Sequence, residues 1–232
     1  MTAIIETRGL RKTYHGGDNN PVEVLAGVDL TIHRGEVLAI VGQSGAGKST
    51  LLHLLGGLDT PSGGDIALEG VSYGALSEEG RGELRNRKIG FIFQFHHLLR
   101  EFTALENVMM PLLIAGVDEG KARSRAEELL AAVDLAGRMT HRPSQLSGGE
   151  QQRCAVARAL VQDPKVLLAD EPSGNLDFLN SARVHDLLLG LARSFETALV
   201  VVTHNRLLAE RADRILVLES GRLQPAGAQV IL

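Results

Sequence analysis

The sequence predicts an α/β fold: a mostly parallel sheet with an antiparallel β edge and a helical insertion. Three observations carry that prediction. Short apolar runs, EVLAIVG (36–42), VLLAD (166–170) and ALVVVT (198–203), look like strands buried on both faces. Helix-period stretches alternate with them, the pattern of a parallel sheet covered by helices. Helical signals dominate the chain from about residue 95 to 162, between the first of these strands and the rest.

The elements follow in order. VEVLAGVDLTI (22–32) is strand-like, and HRG (33–35) is a turn. After the 36–42 strand, KSTLLHLLGGL (48–58) is a helix stopped by Gly56 and Gly57. A short strand is expected near Ile66 to Leu68. In DEGKARSRAEELLAAVDLAG, Ala122, Ala126, Leu129, Leu130 and Val133 share one helical face, with Asp118 as N-cap and Gly137 as stop. LNSARVHDLLLGLARS (179–194) is a helix with Val184, Leu187, Leu188 and Leu191 in phase. RILVLESGRL (214–223) is a hairpin turning at Ser220-Gly221. The expected organisation is a single domain over 1–232, with a core of about 1–94 and 163–232 and a helical subdomain of about 95–162.

Composition narrows the function. The chain of 232 residues is 44% hydrophobic and 22% charged, ordinary for a globular core. A net charge of −4 gives no general basic field for nucleic acid. The single cysteine, Cys154, excludes an intrachain disulfide and suits a reducing compartment. The first residues carry charges, unlike a secretory signal. The longest apolar runs fall far short of the ~18 residues of a membrane helix, so membrane contact is expected only through partners. No internal repeat or low-complexity segment is visible.

GQSGAGKST (42–50) matches G-x-x-x-x-G-K-[ST] between a strand and a helix, which marks a P-loop NTPase core. Gly42, Gln43, Ser44, Gly45, Ala46, Gly47 and Thr50 shape a cradle whose backbone N–H groups close on phosphate oxygens at a helix N-terminus. Lys48 reaches the β- and γ-phosphates, and the Ser49 hydroxyl is a Mg²⁺ ligand. VLLADE (166–171) supplies the other carboxylates. Asp170 is placed to hold Mg²⁺, and Glu171 to act as general base toward the attacking water. LSGGEQQRCAVARALVQDP (146–164) opens on Ser147 with Glu150 three residues on, a capping-box pattern. Gly148 and Gly149 in that first turn leave N–H groups bare, suiting a second anion. An ordinary well-capped helix accounts for the same pattern equally well.

LSGGEQQR resembles the signature motif of ABC-type ATPases. With GQSGAGKST and VLLADE, the resemblance spans nearly the whole chain. It implies a head-to-tail pair with a second copy, each ATP lying between one copy's P-loop and the other's signature, where Ser147, Gly148, Gly149 and Glu150 sit. It also implies that Tyr14 stacks on adenine and that Gln94 meets Mg²⁺ and the attacking water. His204 becomes the switch residue at the γ-phosphate, and Asn175, Leu176 and Asp177 cross to the partner subunit.

FIFQFHHLLREF (91–102) holds four of the six Phe. Phe91 and Phe93 are expected to pack their strand into the core. The resemblance places Phe95, His96, His97, Leu98, Leu99 and Phe102 in a groove that receives a transmembrane permease subunit. A metal site at His96-His97 is disfavoured, because no further ligands lie beside the pair in sequence. FQFHHLL followed by EFTALENV resembles the ATPases of lipoprotein-releasing ABC systems. HLLGGLD (53–59) and DEPSGNLD (170–177) belong to a broader group that includes macrolide-exporter and cell-division ATPases. Arg100 stands where that pattern has Pro, and Ser173 where it has Thr. The expectation is an ATPase using ATP and Mg²⁺, peripheral at the cytoplasmic face of a bacterial inner membrane. A DNA-repair or chromosome-organising ATPase is the rival from another class. It would need long coiled-coil arms between Ser49 and Ser147, and that stretch holds no sustained heptads.

Overall fold

The strand Val37–Val41, which leads into residues 42–47, is apolar over its full length. The computed structural model describes residues 2–15 and 20–226. In chain order the elements are β1 (Ala3–His15), β2 (Pro21–His33), β3 (Val37–Val41), α1 (Lys48–Leu55), β4 (Gly63–Leu68), β5 (Val71–Ser72), α2 (Glu78–Lys88), β6 (Ile89–Ile92), α3 (Ala104–Ile114), α4 (Glu119–Ala132), α5 (Gly148–Leu160), β7 (Val166–Asp170), α6 (Phe178–Ser194), β8 (Ala198–Val202), α7 (Arg206–Ala209), β9 (Arg214–Glu219) and β10 (Arg222–Pro225). They divide into two compact units, residues 1–82 with 198–232, and residues 83–197.

In the first unit, β3 lies between β8 and β9 and runs parallel to both, and β10 folds back antiparallel on β9. Every residue of β3 and β8 is buried, so the two strands read as continuous apolar runs. The β9–β10 hairpin turns where predicted, with Ser220 at φ 48° and Gly221 at φ 73°. Both positive values match the right-handed twist of the flanking strands. A second, wholly antiparallel sheet has the order β2-β1-β4-β5. The pairing of β1 with β2 is interrupted by register shifts, one of them around Gly9 at φ 55°.

In the second unit, β6 pairs in parallel with β7. The backbones approach closely at Gly90, where an added Cβ would lie 2.2 Å from the Ala159 carbonyl oxygen. α4 buries the predicted face, Ala122, Ala126, Leu129, Leu130 and Val133, and Asp118 caps its start by accepting from the N–H groups of Gly120 and Lys121. Its end differs from expectation. The helix stops at Ala132, and Asp134 takes the left-handed conformation at φ 59°. Gly137 belongs instead to a separate 3₁₀ turn, Ala136–Arg138. Asp tolerates that conformation well enough to end a helix before any glycine is reached. α6 is also rotated from the predicted phase. Its buried residues are Ser181, Val184, His185, Leu188, Leu189 and Ala192, with Leu187 and Leu191 half-buried at the flank. A core face containing Ser and His is invisible to a count of apolar residues.

Candidate nucleotide site and partner surface

In the first unit the chain leaves β3 at Val41 and enters α1 at Lys48. Two glycines of the connecting loop are required by shape. A Cβ at Gly42 would sit 2.4 Å from the Leu218 carbonyl oxygen, and one at Gly47 would sit 2.7 Å from Val24 Cγ1. Gly47 is the N-cap of α1 at φ 96°, and no side chain caps the helix or places a carboxylate in its first turn. The N–H groups and dipole of that end are therefore directed at an anion. Lys48 Nζ donates to the carbonyls of Gly42 at 2.8 Å and Gln43 at 3.0 Å, across the mouth of the loop. Ser49 is exposed and Thr50 half-buried. A cavity of about 560 Å³ is lined by Gly42, Gln43, Ser44, Gly45, Ala46, His204 and residues 217–220. The fold thus brings His204, far away in sequence, to the loop. Tyr14 is 42% exposed.

In the second unit β7 ends at Asp170, and Glu171 follows at φ 46°, a left-handed conformation uncommon outside glycine. This bend starts a tight turn in which Gly174 N–H donates to the Glu171 carbonyl and Leu176 N–H to that of Ser173. Gln94 and Asn175 are tied together twice: Gln94 Nε2 donates to Asn175 Oδ1 at 3.3 Å, and Asn175 Nδ2 to the Gln94 carbonyl at 3.0 Å. Ser173 Oγ lies 2.7 Å from His185 Nε2, both residues buried. Asp177 caps α6 through Asn180 N–H. The capping box at α5 is complete: Glu150 Oε2 accepts from Ser147 N–H at 2.8 Å, and Ser147 Oγ accepts from Glu150 N–H at 3.3 Å. The Ser147 N–H, then the Ser147 hydroxyl, hold the Glu150 carboxyl below the usual range, with help from Arg138 at 3.1 Å. Gly149 packs against Asn180, with 3.1 Å from a notional Cβ to Oδ1, and Gly148 faces Leu176. The signature corner and the loop of residues 175–180 therefore form one surface.

The aromatic segment also differs in part from expectation. Ile92 is the fully buried residue of β6, while Phe91 and Phe93 are half-buried and stack on each other at 5.6 Å. Strand alternation gives the core face to Ile92 and the opposite face to the two rings. Beyond them Phe95, Leu99 and Phe102 are exposed, Phe95 at 66%. The segment is pinned from beneath by Arg158, which donates to the carbonyls of His96 and His97. A cavity of about 400 Å³ is lined by Phe95, His96, His97, Leu98, Arg100, Pro143 and Gln151. Burial, then the neighbouring charges of His97 and Arg158, lower the pKa of His96, and a hydrogen bond to the Gly148 backbone opposes them. Arg138, Arg158 and His185 carry no sequence signal of their own, because the partners that give them a role, Glu150, the His96 and His97 carbonyls and Ser173, come near only in the fold.

Among the described residues no group of three or more His, Cys, Asp or Glu side chains is placed to hold a metal. Mg²⁺ fits the donor chemistry present nevertheless. It prefers a few hard oxygen donors, completed by water and phosphate, over an all-protein cage; in the first unit the exposed Ser49 carries a hydroxyl oxygen, and in the second Asp170 carries a carboxylate at the end of β7. No helix among the described residues is long and apolar enough to cross a membrane.

A glycine-lined phosphate loop, a strand ending at Asp170 with Glu171 just beyond it, and a capped Ser-Gly-Gly corner in one chain define an ABC ATPase. Residues 25–174 match the family profile described as ABC transporter, and the chain belongs to that family. Its curated relatives are more particular. It is 55% identical over 220 residues to the lipoprotein-releasing system ATP-binding protein LolD of Legionella pneumophila (strain Lens), covering 95% of this chain and 96% of the relative. It is also 55% identical over 223 residues to LolD of Xanthomonas axonopodis pv. citri, covering 96% and 91%. Among solved structures it resembles the dimeric post-hydrolysis ATP-binding cassette MJ0796 bound to ADP and Pi, with TM-score 0.87 and 36% identity over 95% of this chain and 97% of that one. The dimeric structure of MJ0796 as a bacterial ABC transporter cassette agrees equally well, at TM-score 0.87 and 37% identity.

Proposed function

We propose that this chain is the ATP-hydrolysing subunit of a complex that releases lipoproteins from the bacterial inner membrane toward a periplasmic carrier. It works as a peripheral homodimer at the cytoplasmic face, driving transmembrane permease subunits. The observation that carries the reading is 55% identity to lipoprotein-releasing ATPases over 95% of the chain. The exposed Phe95–Phe102 segment, on the helical subdomain of about 95–162, is the surface on which a permease docks. Large rings on few rotatable bonds suit such an anchor.

The roles of the residues follow from their chemistry. Tyr14 holds the adenine. The backbone of Gly42–Gly47 and the Thr50 end of the loop hold the phosphates. Glu171 takes a proton from water as the water oxygen attacks the γ-phosphorus and the bond to the ADP oxygen breaks. Gln94 and His204 orient the water and the γ-phosphate, and Lys48 offsets charge in the transition state. Ser49, Asp170 and Gln94 are the residues that would hold Mg²⁺, which when bound neutralises charge on the phosphate oxygens. Ser147, Gly148, Gly149 and Glu150 present the capped helix end to the triphosphate on the second copy, and Asn175, Leu176 and Asp177 meet the same partner.

Reconstitution tests this reading. The chain is co-expressed with the membrane subunits of a lipoprotein-releasing system, purified in detergent and placed in proteoliposomes loaded with a lipoprotein. Stable co-purification and ATP-dependent transfer of the lipoprotein to a soluble carrier are expected. Co-purification with an exporter-type or cell-division-type permease instead, with no transfer, would move the chain to that neighbouring group.

A further inference from the structure

We infer that Lys12 and Asp59 are positioning residues for nucleotide binding: together they lock the Tyr14 ring in the one orientation that leaves a face open for the adenine base. This deepens the proposed nucleotide site and rests on the adenine-stacking role of Tyr14. Lys12 is buried, at 8% exposure, one of few charged residues so placed among the described residues. Its ammonium donates to Asp59 Oδ1 at 2.7 Å and to the Thr60 carbonyl at 2.8 Å. It also lies over the Tyr14 ring, 4.7 Å from the centroid. A compact ammonium with three donors satisfies all three contacts, whereas a planar guanidinium would not. The far end of the ring is tied down as well. Tyr14 Oη donates to Asp59 Oδ2 at 2.8 Å.

One carboxylate therefore holds both the cation on one ring face and the hydroxyl at the ring edge, and it takes the Thr60 N–H at 2.7 Å besides. Against the desolvation that would raise it, the Lys12 ammonium and the Tyr14 hydroxyl bring the Asp59 carboxyl below its usual range, so it stays charged. With one face under the ammonium and the edge anchored, only the opposite face remains for stacking. An untethered tyrosine at 42% exposure would have to lose that rotational freedom when the base arrives. The link also gives a role to Asp59 at the end of the HLLGGLD stretch (53–59). It joins the chain leaving α1 to the base-binding residue of β1.

The test separates base recognition from phosphate recognition. Lys12→Met, Asp59→Asn and Tyr14→Phe are compared with wild type and Tyr14→Ala for steady-state ATPase kinetics, and for binding of ATP and of inorganic tripolyphosphate, which has no base. Stability is followed by thermal melting. Losing an ordered base–ring stack should raise the KM for ATP about ten-fold in Lys12→Met and Asp59→Asn. The kcat should hold within about two-fold, and tripolyphosphate affinity should be unchanged. Tyr14→Phe keeps the ring and loses only its tether, so it should fall between. It is also the variant least able to disturb folding. ATP binding as in wild type for Lys12→Met, Asp59→Asn and Tyr14→Phe, alongside weakened binding in Tyr14→Ala, would overturn the positioning role while leaving the adenine role of Tyr14 standing. Equal weakening of ATP and tripolyphosphate would overturn it too, since the network would then serve the loop itself. Unchanged ATP binding in Tyr14→Ala would remove the adenine role and the inference with it.

Discussion

A single methyl group at position 90 would fall 2.2 Å from the Ala159 carbonyl and 2.5 Å from Leu167 Cδ2. Neither backbone can move without disturbing the pairing of β6 with β7 or the last turns of α5. Gly90→Ala is therefore expected to destabilise the protein by about 2 kcal/mol, the cost of overpacking a rigid contact. At Gly137 a notional Cβ meets nothing within 4 Å and φ is not positive, so Gly137→Ala should be neutral within about 0.5 kcal/mol. Urea midpoints for the two variants check the contrast. It also shows which residues were legible in the sequence. Lys48, Ser49, Asp170 and Glu171 announce themselves because their chemistry depends on neighbours a few positions away. Gly90, Lys12, Arg138 and His185 do not, because each owes its importance to a partner brought near only by folding: Ala159, Asp59, Glu150 and Ser173. The left-handed conformation of Glu171 is hidden for another reason: Glu is not a residue whose sequence pattern signals a positive φ.

At the scale of elements, helix ends carry the most local information. α3 begins with a capping box in which Glu106 Oε2 accepts from Thr103 N–H at 2.7 Å and from the Thr103 hydroxyl at 2.8 Å. The backbone donor first, then the hydroxyl, lowers the Glu106 pKa in the folded protein. A carboxyl depressed in this way stabilises the fold above its unfolded pKa of about 4.3, and the contribution is lost as pH falls through the lower folded value. Glu106→Gln should accordingly melt closer to wild type at pH 3 than at pH 7, as followed by circular dichroism. Asp118, accepting from two N–H groups at the start of α4, should cost about 1 kcal/mol when changed to Ala. The inner strands and the caps were readable because short continuous apolar runs and capping pairs are local patterns. The end of α4 and the phase of α6 were not. The first depends on Asp134 taking a conformation usually assigned to Gly, and the second on polar Ser181 and His185 facing the core.

At the scale of the whole molecule, the question is what two copies gain by meeting. Each chain carries a net charge of −4, so two copies repel, and an anionic nucleotide between them adds to the cost. In the proposed pair, what offsets it is the uncapped N-terminus of α1 with Lys48 in one copy and the N-terminus of α5 with Ser147 in the other. On this account the γ-phosphate is the group both copies hold, and the pair should last only while that phosphate stays attached. Glu171→Gln removes the proton acceptor and keeps the size and hydrogen-bonding shape of the side chain. Turnover should fall by at least about 100-fold, the usual worth of a positioned general base, while ATP remains bound. Sedimentation velocity should then find a dimer with ATP and a monomer with ADP. Adding Ser147→Ala to that variant should return it to monomer although the phosphate loop still binds ATP, because the opposing helix end has lost its cap and its hydroxyl. If Glu171→Gln with saturating ATP sediments as a monomer, the γ-phosphate is not shared between two copies, and the head-to-tail arrangement fails for this chain.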